Sequence, residues 1–159
     1  MRQLKPNEIR DWVQKQKKHY EDYFEELKKV KSAIANYKRV KDIIEMQVAM
    51  VNEYKGAWAL FRQDKNFTPD ELEYMLNIYT GMMDESIKNI DQLFMVINAF
   101  ATQMADAKRL EIINSVADNV QQQLLDMKEF NSQNKMLSLQ RASEKGEIEY
   151  VRRLYGLSR

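Results

Sequence analysis

The chain has 159 residues, of which 44% are apolar and 31% are charged, with four glycines, two prolines and no cysteine. This mixture of apolar and charged residues is too apolar for a disordered chain and too polar for a membrane-spanning segment. The lack of cysteine excludes disulfides and thiolate metal sites. Because glycine and proline are scarce, the chain has few points for sharp turns, and we predict a single all-α domain over residues 1–159.

The net charge of +1 is unevenly distributed along the chain. Residues 1–41 carry 12 Lys or Arg against 6 Asp or Glu, whereas the remainder carries 13 against 18. Such an asymmetry can steer association with an acidic partner or with the opposite end of a second copy. A solvated helix surface is the more common explanation for charges of this kind.

The first predicted helix covers residues 7–62, because this stretch contains no proline and only one glycine, Gly56. Its apolar residues recur at alternating steps of three and four, which is the pattern of a coiled-coil seam. Gln16, Lys41 and Lys55 interrupt that seam. Its apolar members are Ile9, Val13, Tyr20, Tyr23, Leu27, Val30, Ile34, Tyr37, Ile44, Val48, Val51 and Trp58.

The second predicted helix covers residues 69–102 and begins at a strong capping signal. The Thr68 hydroxyl can accept the backbone N–H of Glu71, whose carboxylate can reach back to the N–H of Thr68. Pro69 lies at the first helical position, where no donor is needed. The apolar seam of this helix is broken only by Ser86.

The third predicted helix covers residues 105–155, and its seam turns polar at Asn131 and Asn134. We expect a bend, a change of partner or buried asparagines that fix the register there. Gly146 is a candidate break and Gly156 a candidate terminator. Three such helices predict an elongated, coiled-coil-like antiparallel three-helix bundle with a long N-terminal helix.

Helix length makes the N-terminal segment the candidate partner-binding surface. The first helix would be roughly 84 Å long and the second only roughly 50 Å, so that the segment from Ile9 to Leu27 would lack cover. An exposed aromatic stripe typically marks a partner or a second copy. We predict that this stripe binds a partner protein or a second copy of the chain through Trp12, Tyr20, Tyr23 and Phe24. The alternative is a break near residues 28–36 that folds the segment back into the core of the same chain.

The inventory of reactive side chains predicts a protein that is not an enzyme and that has no cofactor and no metal. The chain has one histidine, His19 in a lysine-rich stretch, and it lacks Glu-x-x-His pairs, phosphate loops and zinc-protease motifs. Lysine clusters in the first 41 residues leave nucleic-acid binding as an alternative function. Interleaved acids such as Glu21, Asp22, Glu25 and Glu26 make nucleic acid an unfavourable partner.

The chain resembles the small TraI-like conjugal transfer proteins of Bacteroidetes conjugative transposons over about 120 residues, in collinear order. No single stretch is specific, and the ordered series carries the resemblance. The stretches are Asp22-Tyr23-Phe24, Ile34-Ala35-Asn36-Tyr37, Val40-Lys41-Asp42-Ile43-Ile44 with Gln47, Phe67-Thr68-Pro69-Asp70-Glu71-Leu72, Asn89-Ile90-Asp91-Gln92-Leu93-Phe94, Met104-Ala105-Asp106 with Arg109, and Leu137-Ser138-Leu139-Gln140-Arg141.

This resemblance implies an accessory or structural subunit of a conjugative, type IV secretion-like DNA-transfer apparatus, with other apparatus proteins as partners. It implies the periplasm or the cell envelope if an export signal has been removed, and the cytoplasm otherwise. The present sequence starts without such a signal and has no apolar run that could span a membrane. It also carries Ala105 where similar proteins often carry a capping residue, which leaves the start of the third helix less well fixed.

Overall fold

The computed structural model describes residues 6–33, 38–98 and 104–157, and within them it contains five α-helices and no strand. The all-α prediction is therefore confirmed at the level of fold class. The helices are α1 (Pro6–Ala33), α2 (Lys38–Phe61), α3 (Pro69–Asn98), α4 (Asp106–Glu144) and α5 (Ile148–Leu154).

Successive long helices run in opposite directions. Gln47 of α2 bonds to Ser86 of α3, whereas Tyr54 and Tyr79, farther along α2 and earlier in α3, pack edge to face. The most extensive packing joins α2 to α4, and α3 closes the centre of the bundle against both. α1 packs on α3 and α2, so the bundle has four long helices where the sequence predicted three.

The prediction of one continuous helix over residues 7–62 is wrong, because α1 ends at Ala33 and α2 begins at Lys38. Side chains on the two helices face each other: Lys55 Nζ of α2 lies 4.9 Å from the ring centroid of Phe24 of α1. In one straight helix these residues would be roughly 46 Å apart. The fold-back alternative therefore describes this part of the chain.

Burial explains why α1 returns onto the bundle. Tyr23, Leu27 and Val30 all lie in the core with at most 3% of their surface exposed. Each large apolar side chain removed from water contributes about 1.5–3 kcal/mol. This burial favours α1 packed against α2 and α3 over an extended α1 that leaves the same side chains in water.

The start of α3 follows the capping pattern predicted from the sequence. The backbone N–H of Glu71 donates to Thr68 Oγ1 at 3.2 Å, and the N–H of Thr68 donates to Glu71 Oε1 at 3.0 Å. The second bond also brings the Glu71 carboxylate to Arg141 of α4, whose two terminal nitrogens each donate to it at 2.8 Å. One side chain thus caps a helix and ties it to another.

Two glycines with positive φ end the last two helices. Gly146 (φ 72) closes α4, and the next N–H, from Glu147, donates to the Ala142 carbonyl at 2.7 Å. Gly156 (φ 65) closes α5 as predicted. The predicted third helix over 105–155 is therefore two helices. Its start at Ala105 has no side-chain cap, in keeping with the residue type.

Buried polar side chains form cross-links between the seams. Asn131, which is 1% exposed, accepts from the Tyr79 hydroxyl and donates to the carbonyl and carboxylate of Glu53. Asn134 is only half-buried and bonds within its own helix to the Phe130 carbonyl. Asn131 thus joins α2, α3 and α4, as expected of a buried asparagine that fixes register.

A second polar cluster lies at the turn between α2 and α3. The buried carboxylate of Asp64 accepts from the Ser138 hydroxyl, from the Tyr155 hydroxyl at 2.7 Å and from the backbone N–H of Asn66 at 2.9 Å. These contacts hold both α4 and the segment after α5 against the turn. No helix in the described ranges is long and apolar enough to cross a membrane.

Candidate docking groove between the first two helices

The four predicted contact residues fall into three groups. The side chains of Trp12 and Tyr20 lie outside the part of the chain that the structure describes. Tyr23 is 3% exposed and belongs to the core, so its predicted role as a surface contact is wrong for this chain. Phe24 is half-buried and keeps part of its ring at the surface.

Tyr23 positions its neighbour Phe24. The Tyr23 hydroxyl shares a 2.7 Å hydrogen bond with Ser86 Oγ of α3, and Gln47 of α2 donates to the Ser86 carbonyl at 3.2 Å. Burial raises the pKa of Tyr23, so the hydroxyl remains a neutral partner in this bond. Fixing Tyr23 toward α3 turns Phe24, one residue and 100° farther round the helix, toward α2.

An apolar groove of about 350 Å³ opens between α1 and α2 beside Phe24. Leu27 and Ile44 are 2% and 5% exposed and form its floor, while Phe24 and Val48 are half-buried and form its walls. Seven residues line this α1–α2 groove: Phe24, Leu27, Lys28, Lys41, Ile44, Glu45 and Val48. The groove borders Phe24, one of the four predicted contact residues.

Charged side chains stand around the apolar floor. Lys28 Nζ lies 3.2 Å from Glu25, and Lys41 Nζ lies 3.9 Å from Glu45, with all four side chains more than 60% exposed. Ion pairs this exposed contribute little and exchange readily with water or other partners. The lysines are thus able to turn toward a ligand in the groove.

The polar clusters inside the bundle are structural. Glu71 and Arg141 satisfy each other, and the oxygens of Asp64 accept bonds from three neighbouring donors. Among the described residues, no group of three or more His, Cys, Asp or Glu could hold a metal ion. These clusters stabilise helix contacts, and they do not bring an acid, a base and a nucleophile together at an open pocket.

The lysines of α1 are closely interleaved with acids in space as well as in sequence. Lys28 and Lys29 pair with Glu25 and Glu26, one turn earlier, at 3.2 and 3.4 Å. A phosphate backbone on this surface would meet those carboxylates as well as the lysines. Nucleic-acid binding by the basic N-terminal part stays a prediction, with this pairing against it.

Of the residues that line the groove, the sequence pattern predicts only Phe24 as a contact. Ile44 and Val48 belong to the seam of the predicted first helix, and Lys41 interrupts that seam. This lysine is the signal in the sequence, since a lysine is almost never fully buried and favours an exposed position. The facing of α1 and α2 was needed to bring Lys41 and Lys28 to one rim.

Comparisons with protein-family models, with curated proteins and with solved structures found no match for this chain.

Proposed function

We propose that the chain is a non-enzymatic accessory subunit of a conjugative, type IV secretion-like DNA-transfer apparatus, which binds other apparatus proteins through helix-to-helix contacts. The observation that carries the docking part of this proposal is the α1–α2 groove. It is an apolar recess that the helices of the chain leave open, next to the predicted contact residue Phe24. Apolar surface of this kind typically serves an interface.

The conjugative part of the proposal is supported by the collinear resemblance to the small TraI-like proteins. Residues from several of the resembling stretches contact one another in the helical bundle of this chain. Glu71 and Arg141, from two distant stretches, form the bidentate pair, and Tyr23 and Gln47, from two others, share Ser86. The resembling residues therefore include those that set helix positions. The periplasm or the cell envelope is the proposed site of action if the precursor carries an export signal.

A mating assay tests this function in cells whose conjugative element encodes the chain. Deleting its coding sequence should lower DNA transfer, and the wild-type sequence supplied in trans should restore it. Val48→Asp should fail to restore transfer, because a carboxylate on the groove wall opposes an apolar partner. Leu125→Asp is the matched control on α4, where Leu125 is 53% exposed. That variant should restore transfer fully.

Circular dichroism and urea unfolding of both purified variants establish that each is folded. Normal transfer after deletion would contradict the conjugative role. Normal transfer with a folded Val48→Asp protein would contradict the role of the groove. If Val48→Asp does not fold, Val48→Ser provides the same comparison with a smaller change.

A further inference from the structure

The shape of the α1–α2 groove fits a helix better than a small molecule. It lies between two antiparallel helices and is open to solvent, and on α2 it extends from Lys41 to Val48, roughly 10 Å or two helical turns. Pockets for small ligands typically enclose 70–90% or more of the ligand surface, which a half-open trough does not provide. A helix lays two or three anchors into such a trough and covers it with its own body.

The apolar contacts of the groove are spaced for anchors one turn apart. Ile44 and Val48 are four residues apart on α2, and Phe24 and Leu27 are three apart on α1. Neighbours at these spacings lie one above the other on a helix face. A helix seated between them presents apolar side chains at the same intervals.

Two exposed lysines stand at one end of the groove rim. Lys28 and Lys41 are both at the end nearest the junction of α1 and α2, and each is more than 60% exposed. Glu45 lines the groove at the same end, where it pairs with Lys41, and beyond Phe24 a second hollow is lined by Glu21, Asp22, Phe24, Glu25 and Lys28. Lys55 lies over the Phe24 ring at that far end. The two exposed lysines at the junction end offer a site for a carboxylate that replaces Glu25 and Glu45 as their partner.

We infer that the α1–α2 groove receives an amphipathic helix of a partner protein that carries apolar anchors one turn apart and a carboxylate placed between Lys28 and Lys41. This inference rests on the proposed function, because it names the chemistry of the docking partner. Opposite charge on Lys28 and Lys41 steers the encounter with such a helix.

The test uses two synthetic helical peptides as probes with the full-length chain. Both are alanine-based and carry two leucines one turn apart; one has glutamates beside the first leucine, and its twin has lysines there. The glutamate peptide should bind about tenfold more tightly at low salt, and the difference should shrink in high salt. Equal affinity of the two peptides, or tighter binding of the lysine twin, would overturn the inference.

Variants of the chain locate the site. Lys28→Gln combined with Lys41→Gln should remove most of the preference for the glutamate peptide and leave the helical content unchanged, because both lysines are exposed. Lys88→Gln combined with Lys108→Gln is the matched control, since these lysines are exposed on α3 and α4. It should keep the preference. Equal effects of the two double variants would place the peptide elsewhere.

Different results would reject the conjugative role and the binding of an acidic helix. Loss of DNA transfer in Val48→Asp together with no peptide preference would reject the acidic helix and leave the accessory role standing. Peptide binding at the groove together with normal transfer after deletion would reject the conjugative role and keep the binding chemistry. Dodecanoate at equal concentration should not displace the glutamate peptide. Displacement would assign the groove to a free acyl chain and overturn the helical occupant.

Discussion

At the scale of single residues, polar side chains inside the seams decide how the helices are aligned. Ser86 interrupts the apolar pattern of α3, and its hydroxyl contacts both Tyr23 and Gln47 from the two neighbouring helices. Asn131 does the same in α4 with Tyr79 and Glu53. A buried polar group is costly unless it is paired, so each such residue favours one alignment of the bundle.

The Glu71–Arg141 pair predicts a pH-dependent contribution to stability. The hydrogen bonds from Arg141 lower the pKa of Glu71 below its ordinary value of 4.5, against a smaller rise due to burial. Because the folded-state pKa is the lower one, the stabilisation is complete above about pH 4.5 and is lost as the pH falls through the folded-state value. Glu71→Gln keeps a capping side chain but loses the charge.

We expect Glu71→Gln to cost about 1 kcal/mol at neutral pH and much less near pH 3, measured by urea unfolding at both pH values. Glu85→Gln is the control, because Glu85 pairs with Lys88 on the exposed surface of α3. Its cost should be small at either pH. A Glu71→Gln penalty that persists unchanged at low pH would show that the charge is not the source of the stabilisation.

At the scale of helices, the start of α3 and the ends of α4 and α5 follow local signals, whereas the position of α1 does not. Thr68 caps α3, and Gly146 and Gly156 end α4 and α5 with positive φ. Each signal depends on residues within a few positions of the helix terminus, so the sequence alone predicts it. The position of α1 on the bundle depends instead on contacts between residues far apart in the sequence, such as that of Tyr23 with Ser86, 63 residues away.

Two glycine substitutions should change stability in opposite directions. Gly146→Ala places a Cβ in the left-handed conformation and should cost about 1–2 kcal/mol. Gly81→Ala lies inside α3 with no atom within 4 Å of the new Cβ, and should stabilise by about 0.5–1 kcal/mol. Urea unfolding of both variants measures the two shifts. Shifts of the same sign would contradict the helix end at Gly146 or the helical position of Gly81.

At the scale of the whole molecule, the fold-back of α1 places part of this helix in the core. Within the described part of α1, Tyr23, Leu27 and Val30 supply part of the core, and Phe24, Leu27 and Lys28 line one side of the α1–α2 groove. His19 also reaches Asp84 of α3, with Nε2 and Oδ1 3.5 Å apart. The proposed docking groove is therefore formed by two helices together.

A cysteine pair tests this arrangement cleanly, because the chain has no cysteine of its own. Phe24→Cys with Lys55→Cys should be joined within one molecule by a short bifunctional maleimide, since Lys55 Nζ lies 4.9 Å from the Phe24 ring centroid and the reagent spans the gap left when both long side chains are shortened. In a continuous helix the same positions would be roughly 46 Å apart and would not be bridged. The single-cysteine variants serve as controls and should form no internal link. Cross-linking only between molecules would contradict the fold-back and support one continuous helix over residues 7–62.

The sequence by itself determined the all-α class, the cap at Thr68, the terminator at Gly156 and the polar character of the seams at Ser86 and Asn131. These features depend on side-chain spacing and backbone preferences within one or two turns, so neighbouring residues are enough to determine them. Only the tertiary structure decided that α1 doubles back, that Tyr23 is core, and that Lys28 and Lys41 share the rim of one groove. Burial of surfaces far apart in the sequence controls that choice, and helical periodicity is the same whether a stripe packs on its own chain or on another.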